Sequence, residues 1–266
     1  MKILALDTTA KTASAALVEV KKDVPELIAE YSMKTSGHST TLLPMIESIL
    51  KNTGNTAADI DLYAVSTGPG SFTGIRIGVS TVKGLAFVHD TPCIGVSSLD
   101  VLAMGFGAVR GIIVPAVDAR RNTAYSAVFT SDGKGGVSRL TPDGQWEMAE
   151  LTENVKKFAR DLGTDDIYMP GDVVCELSKP VPAQLKYPTG FGAALAAYNK
   201  WKETDDKSGF THAALAPVYL KKSQAERERE ESLAAKNNCQ WSYLKIWKKE
   251  ELLLPQTMQA TPSSRL

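Results

Sequence analysis

Residues 66–78, which read STGPGSFTGIRIG, come nearest to a pattern that could do chemistry. A glycine loop between a strand and a helix gathers backbone N–H groups at the helix N-terminus, where they attract phosphate. The spacing nevertheless fails two phosphate motifs. Ile75 follows Gly74 where a P-loop requires lysine, and the glycine after Gly68 and Gly70 comes one residue late for a dinucleotide fingerprint. The loop therefore has the form of a nucleotide site without its residues.

Two aspartates stand at equivalent places in what looks like an internal repeat of strand, aspartate, turn and strand. Asp7 and Asp118 end the first strand of each copy. In nucleotide enzymes such carboxylates hold magnesium or its waters, while N–H groups of the turn bind phosphate. Neither turn contains a glycine, although Arg120 supplies positive charge. A residual nucleotide site would comprise Asp7, Thr8, Thr9, Asp118 and Arg120; the alternative is that both aspartates are structural.

Histidine and cysteine spacing predicts neither a metal site nor a catalytic residue. The three histidines are far apart, and Leu42 occupies the position one helical turn after His38 where a second metal ligand would stand. The three cysteines are odd in number and form no Cys-x-x-Cys pair. A disulfide framework or zinc ribbon is therefore not expected, and a reducing compartment fits.

The overall composition narrows the class of protein further. The 266 residues include 43% hydrophobic residues, and 30 lysines and arginines balance 30 aspartates and glutamates. Nucleic-acid binding driven by the field of the whole protein is therefore not expected. Only four apolar residues separate Lys2 from Asp7, which is too few for a signal peptide. With no apolar run near the roughly 18 residues of a membrane span, we predict a cytoplasmic protein without membrane contact.

Hydrophobic periodicity predicts an α/β fold whose element order starts again near Gly111. The first part contains strands at residues 2–7, 12–20, 27–34, 62–66 and 92–96, a helix capped by Ser39 or Thr40, and helices at 73–88 and 98–105. The second part contains strands at 112–118, 123–130, 167–169 and 217–220 and helices at 147–162 and 193–201.

Both long helices of the first part carry a face suited to close packing. Leu42, Met45, Ile46 and Ile49 form one apolar stripe. On the next helix Gly74 and Gly78 share a face, and each interior glycine costs about 1 kcal/mol relative to alanine. A second helix approaching this face closely would compensate for that cost.

Five stretches together make the chain resemble the TsaB (YeaZ) family. They read ILALDTT (3–9), GHSTTLLPM (37–45), TGPGSFTGIRIGVSTVKGLA (67–86), VDARRNTAY (117–125) and PVYLKKSQAE (217–226). The resemblance covers about residues 1–230. It implies the two-lobed fold of actin, sugar kinases and heat-shock ATPases, built on a ribonuclease H-like repeat. We expect lobes at 1–106 and 107–223, followed by a charged and aromatic tail at 224–266.

The same resemblance implies a non-catalytic scaffold and activator. Members of this family bind the catalytic paralogue TsaD, which transfers a threonylcarbamoyl group to the adenosine beside the anticodon of tRNAs. The ATPase TsaE joins the pair, the isolated subunit is a homodimer, and tRNA is contacted only indirectly. TsaD holds its metal with a histidine pair, which this chain lacks. No cofactor is expected, with weak binding of ATP or ADP left open.

The resemblance also places the dimer face on the first-lobe helices. The expected interface residues are His38, Leu42, Met45, Ile46, Ile49, Phe72, Arg76, Val79 and Lys83. Phe72 and Arg76 are the expected anchors, because buried aromatic and arginine side chains dominate such contacts. The alternative is that both helices cover the sheet of their own lobe, and some residues of each must do so.

Two further alternatives stay open at this point. The chain could be an ATP-dependent transferase or kinase of the same superfamily, or a glycoprotease-like enzyme. In the tail, Trp241, Tyr243 and Trp247 stand near lysines. They would suit RNA or a partner protein, or equally an accessory helix or a disordered tail.

Overall fold

A five-stranded mixed sheet forms the first part of the fold in the computed structural model, which describes residues 1–35 and 37–220. Its strands are β1 (Lys2–Asp7), β2 (Thr12–Lys21), β3 (Val24–Lys34), β4 (Leu62–Gly68) and β5 (Cys93–Ser97). The spatial order is β3-β2-β1-β4-β5, with the first three strands antiparallel and β1, β4 and β5 parallel. The alternation of strands and helices predicted from the sequence is confirmed here.

Helices cover both faces of this sheet. On one face lie α1 (His38–Asn52) and α2 (Phe72–His89), whose apolar side chains pack on β1, β2 and β4. On the other face lie α3 (Ser98–Met104) and α5 (Gly190–Glu203). Small residues allow α5 to approach β2 closely, since a Cβ atom on Gly190 would lie 2.5 Å from the backbone nitrogen of Ala16.

Two smaller sheets and one helix form the second part. The strands are β6 (Gly111–Ile113), β7 (Ala116–Arg120), β8 (Thr123–Ser126), β9 (Phe129–Ser131), β10 (Val137–Arg139), β11 (Gly144–Glu147) and β12 (Ile167–Tyr168), and the helix is α4 (Met148–Leu162). They pair as β10-β9-β6-β12 and as β11-β8-β7. Short 3-10 helices at Ala57–Asp59 and Ala183–Leu185 complete the described elements.

Three details of the sequence prediction are wrong. The expected strand 112–118 is divided between two sheets, because Pro115 has no N–H donor to continue a ladder. The expected strand 123–130 is divided as well, since Val128 donates its N–H to Thr141 Oγ1 instead of a neighbouring strand. Residues 217–220 form no strand.

The start of α1 also differs from the prediction. The helix begins at His38 after Gly37, so Ser39 and Thr40 lie inside its first turn and not at its cap. Thr40 Oγ1 donates a hydrogen bond to the Gly37 carbonyl oxygen, 2.9 Å away, and satisfies a backbone acceptor instead.

The lobe boundaries at residues 106 and 223 stay predictions. Helix α5 follows the strands of the second part and yet packs on the first sheet.

Within the described residues, none of the helices combines the length and apolarity that a membrane crossing would need. The predictions for residues 224–266, including the tryptophans of the tail, lie outside the described residues.

Candidate functional site

The turn between β1 and β2 is the place where a phosphate would be expected, and its first two residues are closed to solvent. Asp7 and Thr8 are 0% exposed and Thr9 is 4% exposed. The carboxylate of Asp7 accepts hydrogen bonds from the backbone N–H of Thr9, at 2.9 Å, and from the Thr9 hydroxyl, at 3.1 Å. These three predicted site residues therefore lie together, and Asp7 and Thr9 are bonded to each other.

The glycine loop between β4 and α2 covers this turn. Ser71 N–H donates to the Thr9 carbonyl oxygen at 2.8 Å, and Thr8 Oγ1 donates to the Gly74 carbonyl oxygen at 2.7 Å. A Cβ atom on Gly74 would lie 1.9 Å from the Thr8 carbonyl oxygen, and one on Gly70 would lie 2.5 Å from that of Thr9. The absence of side chains on the loop glycines therefore lets the hairpin turn pack directly against the loop. The expectation that Gly74 and Gly78 serve the approach of another helix is wrong.

Burial also changes the acidity of Asp7. Removal from water penalises the charged form and raises the pKa of this carboxyl from its usual value of 3.8 to about 6. The Ser66 hydroxyl, the hydrogen bonds from Thr9 and the nearby His38 lower this pKa and offset only part of that rise. His38 is half-buried, and its Nε2 lies 2.9 Å from the Ala10 carbonyl oxygen, so the ring is fixed against the same hairpin.

The second predicted turn has the opposite character. Asp118 and Arg120 are exposed, and Asp118 Oδ1 accepts the backbone N–H of Arg120 at 2.8 Å. Three successive residues without a glycine, Arg120, Arg121 and Asn122, have φ values of 66°, 54° and 59°. Left-handed backbone at non-glycine residues is uncommon and marks a turn held by its surroundings. In the part of the chain described, no hydrogen bond joins this turn to Asp7, Thr8 or Thr9.

The predicted interface residues separate into two groups. Five of them are no more than 6% exposed and lie in the core between α1, α2 and the sheet: Leu42, Met45, Ile46, Ile49 and Val79. These side chains cover the sheet of their own lobe, which is the alternative weighed above. Phe72 is 38% exposed and Arg76 is exposed, whereas Lys83 is half-buried and donates its Nζ to the Leu215 carbonyl oxygen at 3.1 Å.

Sequence reasoning missed several residues of the exposed surface. Tyr219 stacks on Phe72 with 4.7 Å between ring centroids. Leu43 on α1 is 54% exposed, and Phe87 and Val88 at the end of α2 are each 69% exposed. Tyr219 lies within the stretch 217–226 that resembles the TsaB family, so the sequence could have drawn attention to it. Only the structure shows that it contacts Phe72.

Metal-binding chemistry has no visible basis in the described residues. They contain no group of three or more His, Cys, Asp or Glu side chains that could hold an ion. Cys93 is buried in an apolar setting that raises the pKa of its thiol to about 11, which keeps it protonated and unreactive.

Comparison with known proteins places these features in a family. The family model for TsaD, tRNA N6-adenosine threonylcarbamoyltransferase, matches residues 32–163. The tRNA threonylcarbamoyladenosine biosynthesis protein TsaB of Bacillus subtilis is 32% identical over 243 residues, covering 87% of this chain and 99% of that protein. TsaB of Escherichia coli is 37% identical over 139 residues, covering 51% of this chain and 58% of that protein.

A solved structure gives the fold independently. YeaZ from Pseudomonas aeruginosa superposes with a TM-score of 0.62 at 24% identity, covering 82% of this chain and 99% of that chain. The predicted two-lobed α/β fold is thereby confirmed. Given the match over nearly the whole length of the Bacillus subtilis protein, the chain belongs to the TsaB family of tRNA threonylcarbamoyladenosine biosynthesis proteins.

Proposed function

We propose that this chain acts in the synthesis of threonylcarbamoyladenosine in tRNA as a non-catalytic subunit that binds and activates a TsaD-like transferase. One observation carries the proposal. The turn that would receive phosphate in a nucleotide enzyme is sealed by the glycine loop, whereas the start of the same helix exposes an aromatic and cationic cluster. Side chains at the start of α2 are thus exposed to solvent, whereas the residues that resemble a nucleotide site are buried.

The closed turn argues against chemistry at Asp7. A carboxylate that handles magnesium or activates a nucleophile must face its ligand, but Asp7 is 0% exposed and bonded to Thr9. We therefore assign no catalytic residue and no cofactor, and any binding of ATP or ADP is weak.

The partner surface proposed here is the outer face of α1 and α2. Its exposed apolar and cationic side chains are Leu43, Phe72, Arg76, Phe87 and Val88. A TsaD-like subunit has the related fold, so the two would pair about a pseudo-two-fold axis through equivalent helices. In isolation a second copy of this chain takes that place. A TsaE-like ATPase then joins the pair, tRNA contacts this subunit only indirectly, and the complex works in the cytoplasm.

Reconstitution of tRNA modification tests the proposal. With the TsaD-like and TsaE-like subunits and a supply of threonylcarbamoyl-adenylate, adding this chain should raise the modification rate about tenfold, the size of a typical coupling between bound subunits. The measurement is the yield of modified nucleoside by mass spectrometry after tRNA digestion. This chain without the TsaD-like subunit should give none. An unchanged rate in its absence would disprove the activator role, and modification by the chain alone would establish the enzyme alternative.

Calorimetric titration with magnesium and ATP gives a second test. We expect no saturable heat at low micromolar concentration, because Thr8 and Thr9 of the first turn are buried and bonded to the glycine loop. The variant Asp7→Ala should behave in the same way. Tight binding by the natural chain that Asp7→Ala abolishes would instead support a working nucleotide site.

A further inference from the structure

Three side chains at the start of α2 form a closed cluster, called here the Arg76 cluster and consisting of Phe72, Arg76 and Tyr219. The Arg76 guanidinium carbon lies 4.2 Å above the centre of the Phe72 ring. Arg76 Nε donates a hydrogen bond to Tyr219 Oη at 3.0 Å. The rings of Phe72 and Tyr219 stack with 4.7 Å between centroids and 26° between planes. Each member thus contacts both others.

Tyr219 reaches this place because the chain before it is fixed to the first sheet. Leu215 is 6% exposed and lies in the core beneath α2. Val218 N–H donates to the Thr67 carbonyl oxygen at 2.9 Å. The Val218 carbonyl oxygen lies 2.6 Å from the place of a Cβ on Gly68, so a side chain there would displace this segment. Backbone contacts therefore hold Tyr219 over α2, 143 residues away in sequence from Arg76.

The cluster leaves most of the guanidinium free. Tyr219 takes the Nε donor, while Nη1 and Nη2 have no hydrogen-bond or ion-pair partner within residues 1–35 and 37–220. Four N–H donors in one plane match the two oxygens of a carboxylate. Since stacking and the tyrosine bond already restrict the rotamers of Arg76, less side-chain entropy is lost when a partner binds.

A protein carboxylate fits this surface better than a nucleic-acid phosphate. Phosphate backbones are bound by several cations together, but Lys83 on the same helix already donates to the Leu215 carbonyl oxygen. The chain as a whole has no net positive charge. The aromatic flanks of Arg76 are typical of the central anchors of protein interfaces.

We propose that Arg76 receives an aspartate or glutamate of the TsaD-like partner, and that Tyr219 is the positioning residue that holds Arg76 for it. The inference rests on the proposed function, because it concerns the interface that function requires. It makes Arg76 a specificity determinant of that interface and assigns a supporting role to Tyr219, which lies near the end of the described residues.

Equilibrium binding of the TsaD-like subunit to full-length variants tests this inference. At about 50 mM salt, Arg76→Met should raise Kd about tenfold or more, because a carboxylate of the partner is left unpaired. The loss should shrink at about 500 mM salt, where screening weakens the natural pair. Tyr219→Phe keeps the stack and removes one hydrogen bond, so it should raise Kd about fivefold while retaining the salt dependence of the natural chain.

Controls separate the possible failures. Lys157→Met removes an exposed cation from α4 and should leave Kd unchanged, and thermal unfolding should show all variants folded. Failure of the natural chain to bind would overturn the proposed function and this inference together. If the natural chain binds, Arg76→Met binding as tightly as Lys157→Met overturns the inference alone. An equal loss at both salt concentrations also overturns it, since packing and not charge would then be responsible.

Discussion

Replacement of Gly74 by alanine should lower the free energy of unfolding by about 3 kcal/mol or more, the upper range for overpacking a tight site. The added Cβ would lie 1.9 Å from the Thr8 carbonyl oxygen, which is backbone and cannot rotate away. Moving α2 outward would break the bond from Thr8 Oγ1 to the Gly74 carbonyl oxygen and the bond from Ser71 N–H to the Thr9 carbonyl oxygen. Denaturant unfolding followed by circular dichroism measures the loss.

Gly84→Ala is the matched control for this change. It lies in the same helix, is exposed, and has nothing within 4 Å of the place of its Cβ. Alanine has the higher helix propensity, so this variant should gain up to about 1 kcal/mol. Gly78→Ala should fall between the two, because its nearest obstacle is the Thr8 side-chain oxygen at 2.6 Å. Equal effects at Gly74 and Gly84 would disprove the packing of the loop on the hairpin turn.

The sequence predicted the elements around this packing because their signals are local. Alternation and 3.6-residue periodicity place β1 and α2 within one or two residues of their observed ends. What the glycines face is not local, since Thr8 and Gly74 are 66 residues apart. The glycines of α2 indicate that some part of the chain packs closely against them, but they do not indicate which part. The sequence predicts a second helix there, whereas the structure has the turn between β1 and β2.

The candidate interface shows the same limit. Periodicity identifies an apolar stripe on α1 but not what covers it, and Leu42 and Ile49 prove to lie against the chain's own sheet. Arg76 breaks the apolar pattern of α2 and could be selected from sequence. Tyr219 could not be selected, because its contact with Arg76 depends on how residues 215–219 cross the first sheet, and hydrophobic periodicity carries no information on that.

Asp7→Asn should raise the free energy of unfolding by about 3 kcal/mol near pH 7.5. The pKa of Asp7 rises from 3.8 in the unfolded chain to about 6 in the folded chain, and each pKa unit corresponds to about 1.36 kcal/mol. Burial raises the folded-state pKa of this acid, so the folded chain binds more protons than the unfolded chain between those values. Asp7 therefore contributes most to stability below about pH 4, and this contribution is lost as the pH rises through 6. Asparagine keeps the shape and the acceptor for Thr9 N–H but has no charge to bury.

The difference in stability between the natural chain and Asp7→Asn isolates this one group. It should be small near pH 4 and grow to its full size above pH 6, measured by denaturant unfolding in matched buffers. Asp118→Asn is the control, because that carboxylate is the other aspartate of the predicted nucleotide site and is exposed to solvent. As a surface substitution it should change the free energy of unfolding by no more than about 0.5 kcal/mol. A less stable Asp7→Asn near pH 7.5 would mean that the carboxylate is favoured as an anion in the folded protein. The assignment of Asp7 as a structural residue would then be wrong, because a stabilised anion is what a magnesium-binding aspartate requires.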